Sequence, residues 1–220
     1  MTRPSPSIRI TRAIRPLFLS GALMALLWAL ACTPELKARA YAGAERDEWQ
    51  QADRVVASLG LRPGDVVADL GAGGGYFTFL LAEAVGPSGT VYAIDVDEPM
   101  NERLARLAKE RGMTNVETIL ATPGDPRIPE GGVDLVFTSN TYHHLENRPD
   151  YFRRLATHLR PGGRLAVLDY KKHGLVPGLL GHSTEASIIQ RELESAGYRL
   201  VRRYDFIEKQ HFLIFAPNES

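Results

Sequence analysis

A cluster of glycines directly after a short apolar segment constrains this chain more than any other feature. Residues 66–70 have the β-branched, apolar character of a strand, and Gly71, Gly73, Gly74 and Gly75 follow at once. A chain that leaves a strand in this way must turn sharply, and the missing side chains let its backbone approach a ligand closely. A turn needed only for tight packing of a strand against a helix would also use glycines. The segment therefore predicts either such a turn or a loop that holds a nucleotide-like molecule.

The chain that follows this cluster alternates between strand-like and helix-like segments. Short β-branched runs occur at 66–70, 90–94, 116–120, 133–138 and 165–168, and the helical segments among them are 77–85, 98–111 and 150–159. This alternation is typical of βα units around a parallel sheet with right-handed crossovers. The segment before the cluster, 44–59, has apolar residues at helical spacing and predicts one preceding helix.

The rhythm changes near the C-terminus. Ser183 or Thr184 is expected to cap a helix that ends at Gly197, and two strand-like runs follow at 199–206 and 211–216. The link between these two runs is so short that it allows only an antiparallel hairpin. The sequence thus predicts a mainly parallel sheet that is finished by an antiparallel pair.

An acidic residue at the end of the second strand-like run narrows the choice of ligand. Asp95 can accept hydrogen bonds from both hydroxyls of a ribose, as the corresponding acid does in dinucleotide-binding folds. Those folds prefer a small residue, Gly or Ala, at the last position of the motif G-x-G-x-x-G. When the motif is counted from Gly71, that last position is held here by the large Tyr76. S-adenosylmethionine carries an ammonium, a carboxylate and a sulfonium but no phosphate. The acid Asp69 beside the loop therefore suits it better than it suits a pyrophosphate.

Three motifs in order resemble the class I S-adenosylmethionine-dependent methyltransferases over roughly residues 61–217. They are Asp69-x-Gly71-x-Gly73-x-Gly75, the acid Asp95, and the run Leu159-Arg160-Pro161-Gly162-Gly163-Arg164-Leu165, which in that family lies between the fourth helix and the fifth strand. The resemblance implies an α/β, Rossmann-like, doubly wound fold with a mainly parallel seven-stranded sheet and a C-terminal antiparallel hairpin. It also implies S-adenosyl-L-methionine as the methyl donor.

The resemblance further implies where the donor contacts the chain. The expected cofactor-binding residues are Asp69, Gly71, Gly73 and Gly75 around the methionine end, Asp95 on the ribose, and Asp97 and Met100 near the adenine. Many members carry an acid soon after the third strand that meets the adenine. Here that acid is Asp125, in a Gly-Asp-Pro sequence that equally predicts a simple turn.

The segment 140–145 follows the fourth strand, at the position that faces the methyl group in class I enzymes. Methyl transfer is an in-line displacement, so positioning dominates, and a base is required only when the acceptor must lose a proton. His143 and His144 are the candidate catalytic residues for that task, although either could instead hydrogen-bond the loop or pack beneath the cofactor. The string Tyr142-His143-His144 resembles the subgroup that includes ubiquinone-biosynthesis-like (type 11) enzymes, which implies a small-molecule acceptor.

Charge and cysteine content argue against several classes of partner. Basic and acidic residues balance at 26 each, so the excess positive charge typical of proteins that bind nucleic acid is missing. The single cysteine, Cys32, leaves no internal disulfide and no multi-cysteine metal site, and adjacent histidines rarely converge on one ion. We therefore expect no nucleic-acid partner and no metal.

The first forty residues differ from the rest of the chain. Four arginines between residues 3 and 15 precede an apolar run at 17–31, a pattern typical of a secretory signal or membrane anchor. The run is shorter than the roughly 20 residues that span a bilayer. Ala29-Leu30-Ala31-Cys32 resembles a lipobox, and Ala38-Arg39-Ala40 resembles a signal peptidase I site.

These observations predict a signal or anchor at 1–40, an N-terminal helix at 41–62 and the methyltransferase domain at 63–217. They place the protein outside the cytoplasm, periplasmic or membrane-anchored, with lipidation at Cys32 and with membrane contact only through the N-terminal segment. A cytoplasmic location stays open because S-adenosylmethionine is made in the cytoplasm. Two other functions also stay open: an NAD(P)-dependent oxidoreductase and a non-catalytic S-adenosylmethionine-binding module.

Overall fold

The structure is a computed structural model that describes residues 46–171 and 183–218. The predicted signal segment at 1–40, the start of the predicted N-terminal helix and most of the stretch between the fifth strand and the next helix lie outside these ranges. Within them, no helix is both long enough and apolar enough to cross a membrane.

Helices and strands alternate along the described chain. The helices are α1 (Arg46–Gln50), α2 (Ala52–Leu59), α3 (Tyr76–Val85), α4 (Glu98–Glu110), α5 (Arg148–Leu155) and α6 (Ala186–Ser195). The strands are β1 (Val66–Leu70), β2 (Thr90–Asp95), β3 (Val116–Leu120), β4 (Val133–Ser139), β5 (Leu159–Tyr170), β6 (Tyr198–Tyr204) and β7 (Gln210–Pro217). Two short 3-10 turns occur at Tyr142–His144 and Ala156–His158.

The seven strands form one sheet in the order β3-β2-β1-β4-β5-β7-β6. Strands β1 to β5 pair in parallel, and β7 pairs antiparallel with both β5 and β6. The predicted α/β, Rossmann-like, mainly parallel seven-stranded sheet with its C-terminal antiparallel hairpin is confirmed. The order reverses at β1, since β2 lies on one side of it and β4 on the other, and crevices that bind ligands form at such a point.

Both faces of the sheet are covered by helices. Successive residues of a strand point to opposite faces, and Val67 and Ala68 accordingly belong to two different apolar clusters. Helices α2 and α3 contribute Leu59 and Phe77 to the cluster of Val67, whereas α5 contributes Phe152 to the cluster of Ala68. Burial of the strands on both faces explains their nearly continuous apolar runs.

The N-terminal helix is interrupted where the sequence predicts one continuous helix. Gln51 adopts a left-handed conformation, with φ of 51°, between α1 and α2. Its side-chain Nε2 donates to the carbonyl of Phe206, 2.9 Å away, so a tertiary contact fixes the break. The kink turns α1 toward the carboxyl ends of the strands.

Two further boundaries differ from the prediction. Glu185 is the N-cap of α6, with no side-chain capping bond, so the expected cap at Ser183 or Thr184 is wrong. Helix α5 ends at Leu155, and the run from Leu159 onward is the first part of β5 rather than a link before it. Leu159 pairs there with Val133, and a register shift follows.

Candidate functional site

A cavity of about 1360 Å³ opens at the carboxyl ends of β1, β2 and β4. Three predicted segments line it together: the glycine loop at 71–75, the turn at 95–100 and the loop at 139–146. Arg46 of α1 and Tyr170 at the end of β5 also line it. The structure thus brings every predicted cofactor-binding residue and both predicted catalytic histidines to one cavity.

The glycines of the loop serve different geometric needs. A Cβ atom on Gly71, which has φ of 79°, would lie 2.0 Å from Oγ1 of Thr141, and one on Gly75 would lie 2.9 Å from the ring of Phe79. Gly73 has φ of 51°, yet a Cβ there would meet no atom within 4 Å. Glycine is therefore required at positions 71 and 75 because other side chains lie against them. At Gly73 the space beside the loop is open.

Asp69 is a buried acid at the base of this loop. Its carboxylate accepts a hydrogen bond of 2.6 Å from Oγ1 of Thr78. Burial raises the pKa of Asp69 to about 7; the bond from Thr78 lowers it, the charge of Asp95 raises it and the charge of Arg46 lowers it. A cation brought next to this carboxyl would favour its ionised form.

Asp95 ties the glycine loop to the start of α4. One carboxylate oxygen accepts from the backbone nitrogen of Gly73 at 2.8 Å, and the other accepts from that of Asp97 at 3.0 Å. Because a carboxylate oxygen can accept two hydrogen bonds, both oxygens retain capacity for the hydroxyls of a ribose. Asp97 caps α4 by accepting from the backbone nitrogen of Met100, whose side chain is buried.

The structure distinguishes between the two adjacent histidines. Nδ1 of His143 lies 2.7 Å from a carboxylate oxygen of Asp169, and the two side chains are 8% and 0% exposed. This contact leaves Nε2 as the ring nitrogen directed away from Asp169. His144 is exposed, and its ring centroid lies 4.1 Å from that of His143. His143 therefore has a buried carboxylate partner that fixes its imidazole in one orientation.

Two cavity features were missed by the sequence analysis. Asp169 follows the apolar residues 165–168 in β5, and an acid in such a strand is a signal that could have been noticed. Arg46 lies with its guanidinium 4.0 Å from the ring centroid of Tyr76, at the methionine end predicted for the donor. No sequence motif indicates Arg46, because α1 reaches the cavity only through the kink at Gln51.

A second polar network holds the turn that carries His143. The hydroxyl of Tyr142 donates to a carboxylate oxygen of Glu192 at 2.7 Å, and Arg148 donates to both oxygens of the same carboxylate. Tyr142 is fully buried and stacks on Phe152. The turn is thus held in place by its contacts with residues of α5 and α6.

The remaining sequence features concern a metal ion and Asp125. No group of three His, Cys, Asp or Glu side chains in the described ranges is arranged to hold a metal ion. Asp125 forms a turn in which its carboxylate accepts from the backbone of Arg127.

Comparison with known proteins agrees with the fold and the motifs. Residues 67–163 match the family described as a methyltransferase domain. The chain is similar to nocamycin O-methyltransferase from Saccharothrix syringae, with 39% identity over 116 residues, which are 53% of this chain and 41% of that protein. It is also similar to the ubiquinone/menaquinone biosynthesis C-methyltransferase UbiE from Ectopseudomonas mendocina (strain ymp), with 31% identity over 116 residues, 52% of this chain and 45% of the relative. The matched part of the chain thus spans less than half of either relative.

Among solved structures, the chain resembles a SAM-dependent methyltransferase from Aquifex aeolicus. The TM-score is 0.74 at 27% identity, and the match covers 83% of this chain and 97% of the other. The resemblance therefore extends beyond the segment that the family model matches.

Proposed function

We propose that this chain acts as a class I S-adenosylmethionine-dependent methyltransferase and methylates an oxygen atom of a small-molecule acceptor, with His143 as general base. S-adenosylmethionine is the methyl donor of the family, which supports the donor predicted from the sequence. The relatives also favour a methyltransferase over an oxidoreductase or a non-catalytic module.

The residues around the cavity fit this donor. Asp95 has acceptor capacity left for two ribose hydroxyls, and the open space beside Gly73 allows a ligand to lie against the loop. The buried carboxyl of Asp69 at the other end of the loop favours a cationic group nearby. We assign Asp69, Gly71, Gly73 and Gly75 to the methionine end, Asp95 to the ribose, and Asp97 with Met100 to the adenine end.

The pair of His143 and Asp169 is the observation that carries the proposed chemistry. When an acceptor hydroxyl lies at Nε2 of His143, the imidazole takes its proton, and Asp169 stabilises the imidazolium that forms. The acceptor oxygen then bonds to the methyl carbon while the carbon–sulfur bond of the donor breaks and its electron pair stays on sulfur. Most of the rate is expected to come from holding these groups in line.

The donor site is tested by calorimetric titration of the full chain with S-adenosylhomocysteine. We expect micromolar binding that Asp95→Ala abolishes, whereas Asp205→Ala, a change on the exposed segment between β6 and β7, leaves it intact. Binding of NADH in place of S-adenosylhomocysteine would contradict the proposal.

The base is tested by transfer of a labelled methyl group to a panel of phenols, enols and hydroxyquinones. We expect His143→Gln to lower kcat by about 10²–10⁴-fold, because a glutamine cannot take the proton of the acceptor hydroxyl. His144→Gln and His158→Gln are matched changes that should alter kcat by only a few fold. Equal rates in all three variants would exclude His143 as the base, and donor binding without product from any acceptor would favour the non-catalytic alternative.

A further inference from the structure

Three side-chain amides form a hydrogen-bonded chain from α1 to the cavity. Nε2 of Gln50 donates to Oε1 of Gln210 at 2.8 Å, and Nε2 of Gln210 donates to Oδ1 of Asn140 at 2.6 Å. Gln50 and Gln210 are completely buried. At the far end, Nε of Arg46 donates to Oε1 of Gln50. The amides therefore connect α1, the first residue of β7 and the residue that follows β4.

The direction of this chain is fixed by Arg46. A guanidinium has only hydrogen-bond donors, so Gln50 must turn its oxygen toward Arg46 and its NH2 group toward Gln210. Each following amide must then accept at its oxygen and donate onward. Hydrogen bonds aligned in one direction also polarise one another, which strengthens the donor at the end of the chain.

That last donor is the side-chain nitrogen of Asn140. Asn140 lines the cavity and has φ of 56°, and its backbone nitrogen donates to the carbonyl of Leu168 at 2.8 Å. Its Oδ1 accepts from Gln210, and its Nδ2 donates no hydrogen bond to any residue in the described ranges. A ligand in the cavity can therefore meet an N–H donor at this position.

This hydrogen-bond donor, Nδ2 of Asn140, lies on the side of the cavity assigned to the methyl acceptor. The residues assigned to S-adenosylmethionine follow β1 and β2, whereas Asn140 is held through Gln210 on β7, three strands away from β1 in the other direction. Asn140 and His143 are anchored to Leu168 and Asp169, which are consecutive residues of β5. Asn140 and His143 are three residues apart in one loop and both line the cavity, which places this hydrogen-bond donor and the base near neighbouring atoms of one molecule.

We propose that Asn140 determines acceptor specificity by donating a hydrogen bond to a carbonyl or anionic oxygen adjacent to the hydroxyl that is methylated. The acceptor class is then an enolised β-dicarbonyl or an ortho-acyl phenol. Gln50 and Gln210 are positioning residues that act through Asn140. The proposal rests on the proposed function for the assignment of the cavity, but the polarity of the amide chain follows from the protein alone.

The test is Gln50→Glu, a change with the same number of non-hydrogen atoms at a residue that does not line the cavity. A carboxylate at position 50 is paired with Arg46 and can only accept, so Gln210 must donate to it and present its oxygen to Asn140. Asn140 then turns its NH2 group toward Gln210 and its oxygen toward the cavity. The polarity offered to the acceptor is thereby reversed without any change in shape.

The readout is the ratio of two dissociation constants on the full chain saturated with S-adenosylhomocysteine. The probes are 2-hydroxyacetophenone, which offers a carbonyl oxygen beside its hydroxyl, and 2-aminophenol, which offers N–H donors at that place. We expect the wild type to prefer 2-hydroxyacetophenone and Gln50→Glu to shift the ratio toward 2-aminophenol by about tenfold, the effect of one hydrogen bond gained or lost. Gln190→Glu, the same change on α6, should leave the ratio unaltered.

An unchanged ratio in Gln50→Glu would overturn the proposal, and so would failure of both probes to bind. Weaker binding of S-adenosylhomocysteine with an unchanged ratio would also overturn it, because Asn140 would then contact the carboxylate of S-adenosylmethionine. If Gln50→Glu does not fold, Asn140→Asp replaces the same donor by an oxygen and is expected to shift the ratio equally. Couplings across the Gln210–Asn140 hydrogen bond, measured by NMR without ligand, report the polarity separately. Failure of S-adenosylhomocysteine to bind the wild type would instead contradict the proposed function.

Discussion

Gly71 and Gly73 belong to one motif but respond differently to the same substitution. Gly71→Ala combines a left-handed backbone with a clash against Thr141, so we expect it to lower the free energy of unfolding by about 3 kcal/mol. Gly73→Ala has only the backbone penalty of about 1 kcal/mol, because its methyl group enters open space. Urea denaturation of both variants measures the difference. Equal losses would show that the contact with Thr141 is relieved at little cost.

The Gly73 variant also separates folding from binding. Its methyl group would lie where the donor is expected to pass the loop, so Gly73→Ala should fold and yet bind S-adenosylhomocysteine at least tenfold more weakly. Replacing Thr141 by Ala should recover part of the stability lost in Gly71→Ala and none lost in Gly73→Ala. Calorimetry and denaturation on the same preparations provide both comparisons.

Asp69 makes the stability of the ligand-free protein depend on pH. Its pKa is raised from 3.8 to about 7 in the folded state, chiefly by burial. The folded protein therefore binds this proton more tightly than the unfolded chain does. The resulting stability is fully present below about pH 4 and is lost as the pH rises through about 7.

We expect Asp69→Asn to remove this loss while keeping the contact with Thr78. The wild type should lose up to about 4 kcal/mol of unfolding free energy between pH 4 and pH 8 through this group, and the variant should not. Urea denaturation across that range measures the slope, with Asp205→Asn as an exposed control. A variant with the wild-type slope would show that another group is responsible.

At the scale of elements, the 3-10 turn that carries His143 depends on α6. Tyr142 of the turn and Arg148 of α5 both donate to Glu192, which is half-buried on α6. Burial acts to raise the pKa of Glu192, but the hydrogen bonds from Arg148 and Tyr142 outweigh it, and the pKa lies below its ordinary value. The group thus contributes stability that is present above pH 4.5 and is lost as the pH falls through the lowered pKa.

Glu192→Gln is expected to lower the free energy of unfolding by about 1–2 kcal/mol at pH 7, because the three charge-assisted hydrogen bonds to its carboxylate are weakened or lost. The penalty should shrink as the pH falls through the lowered pKa of Glu192, because the wild-type carboxylate then becomes protonated as well. Glu194→Gln is the matched change on the same helix; the exposed side chain of Glu194 accepts a hydrogen bond from Gln190, and the effect of its replacement should be much smaller. Similar losses in both variants would mean that the network does not stabilise the turn.

At the scale of the whole molecule, the N-terminal segment and the donor favour different compartments. S-adenosylmethionine is made in the cytoplasm, whereas residues 1–40 have the pattern of a signal or anchor. We propose that this segment attaches the protein to a membrane through lipidation at Cys32. The activity of the catalytic domain then depends on whether it lies on the side of that membrane where S-adenosylmethionine is present.

Fractionation of cells that produce the full chain tests this attachment. We expect wild-type protein in the membrane fraction and Cys32→Ser in the soluble fraction, since the variant lacks the thiol that is acylated. Labelling with a fatty-acid analogue provides the direct readout, and protease treatment of intact spheroplasts reports the side of the membrane. Membrane association and labelling that persist in Cys32→Ser would exclude lipidation at this residue.

The sequence alone predicted the sheet and most of its strands because both depend on local pattern. Alternating apolar runs and glycines that end helices specify βα units. The link at residues 207–210 is so short that it allows only a hairpin. The glycine loop and Asp95 were found for the same reason: each follows directly after a strand, and the carboxyl ends of parallel strands meet at one edge of the sheet.

Only the tertiary structure decided that His143 pairs with Asp169 and which residues reach the cavity from distant parts of the chain. His143 and Asp169 are 26 residues apart, and Gln50 and Gln210 are 160 apart, so no local spacing links them. The break at Gln51 was equally hidden, because it depends on a hydrogen bond to Phe206 in another part of the chain. Local pattern determines which elements form, whereas contacts between buried polar side chains are set by how those elements pack.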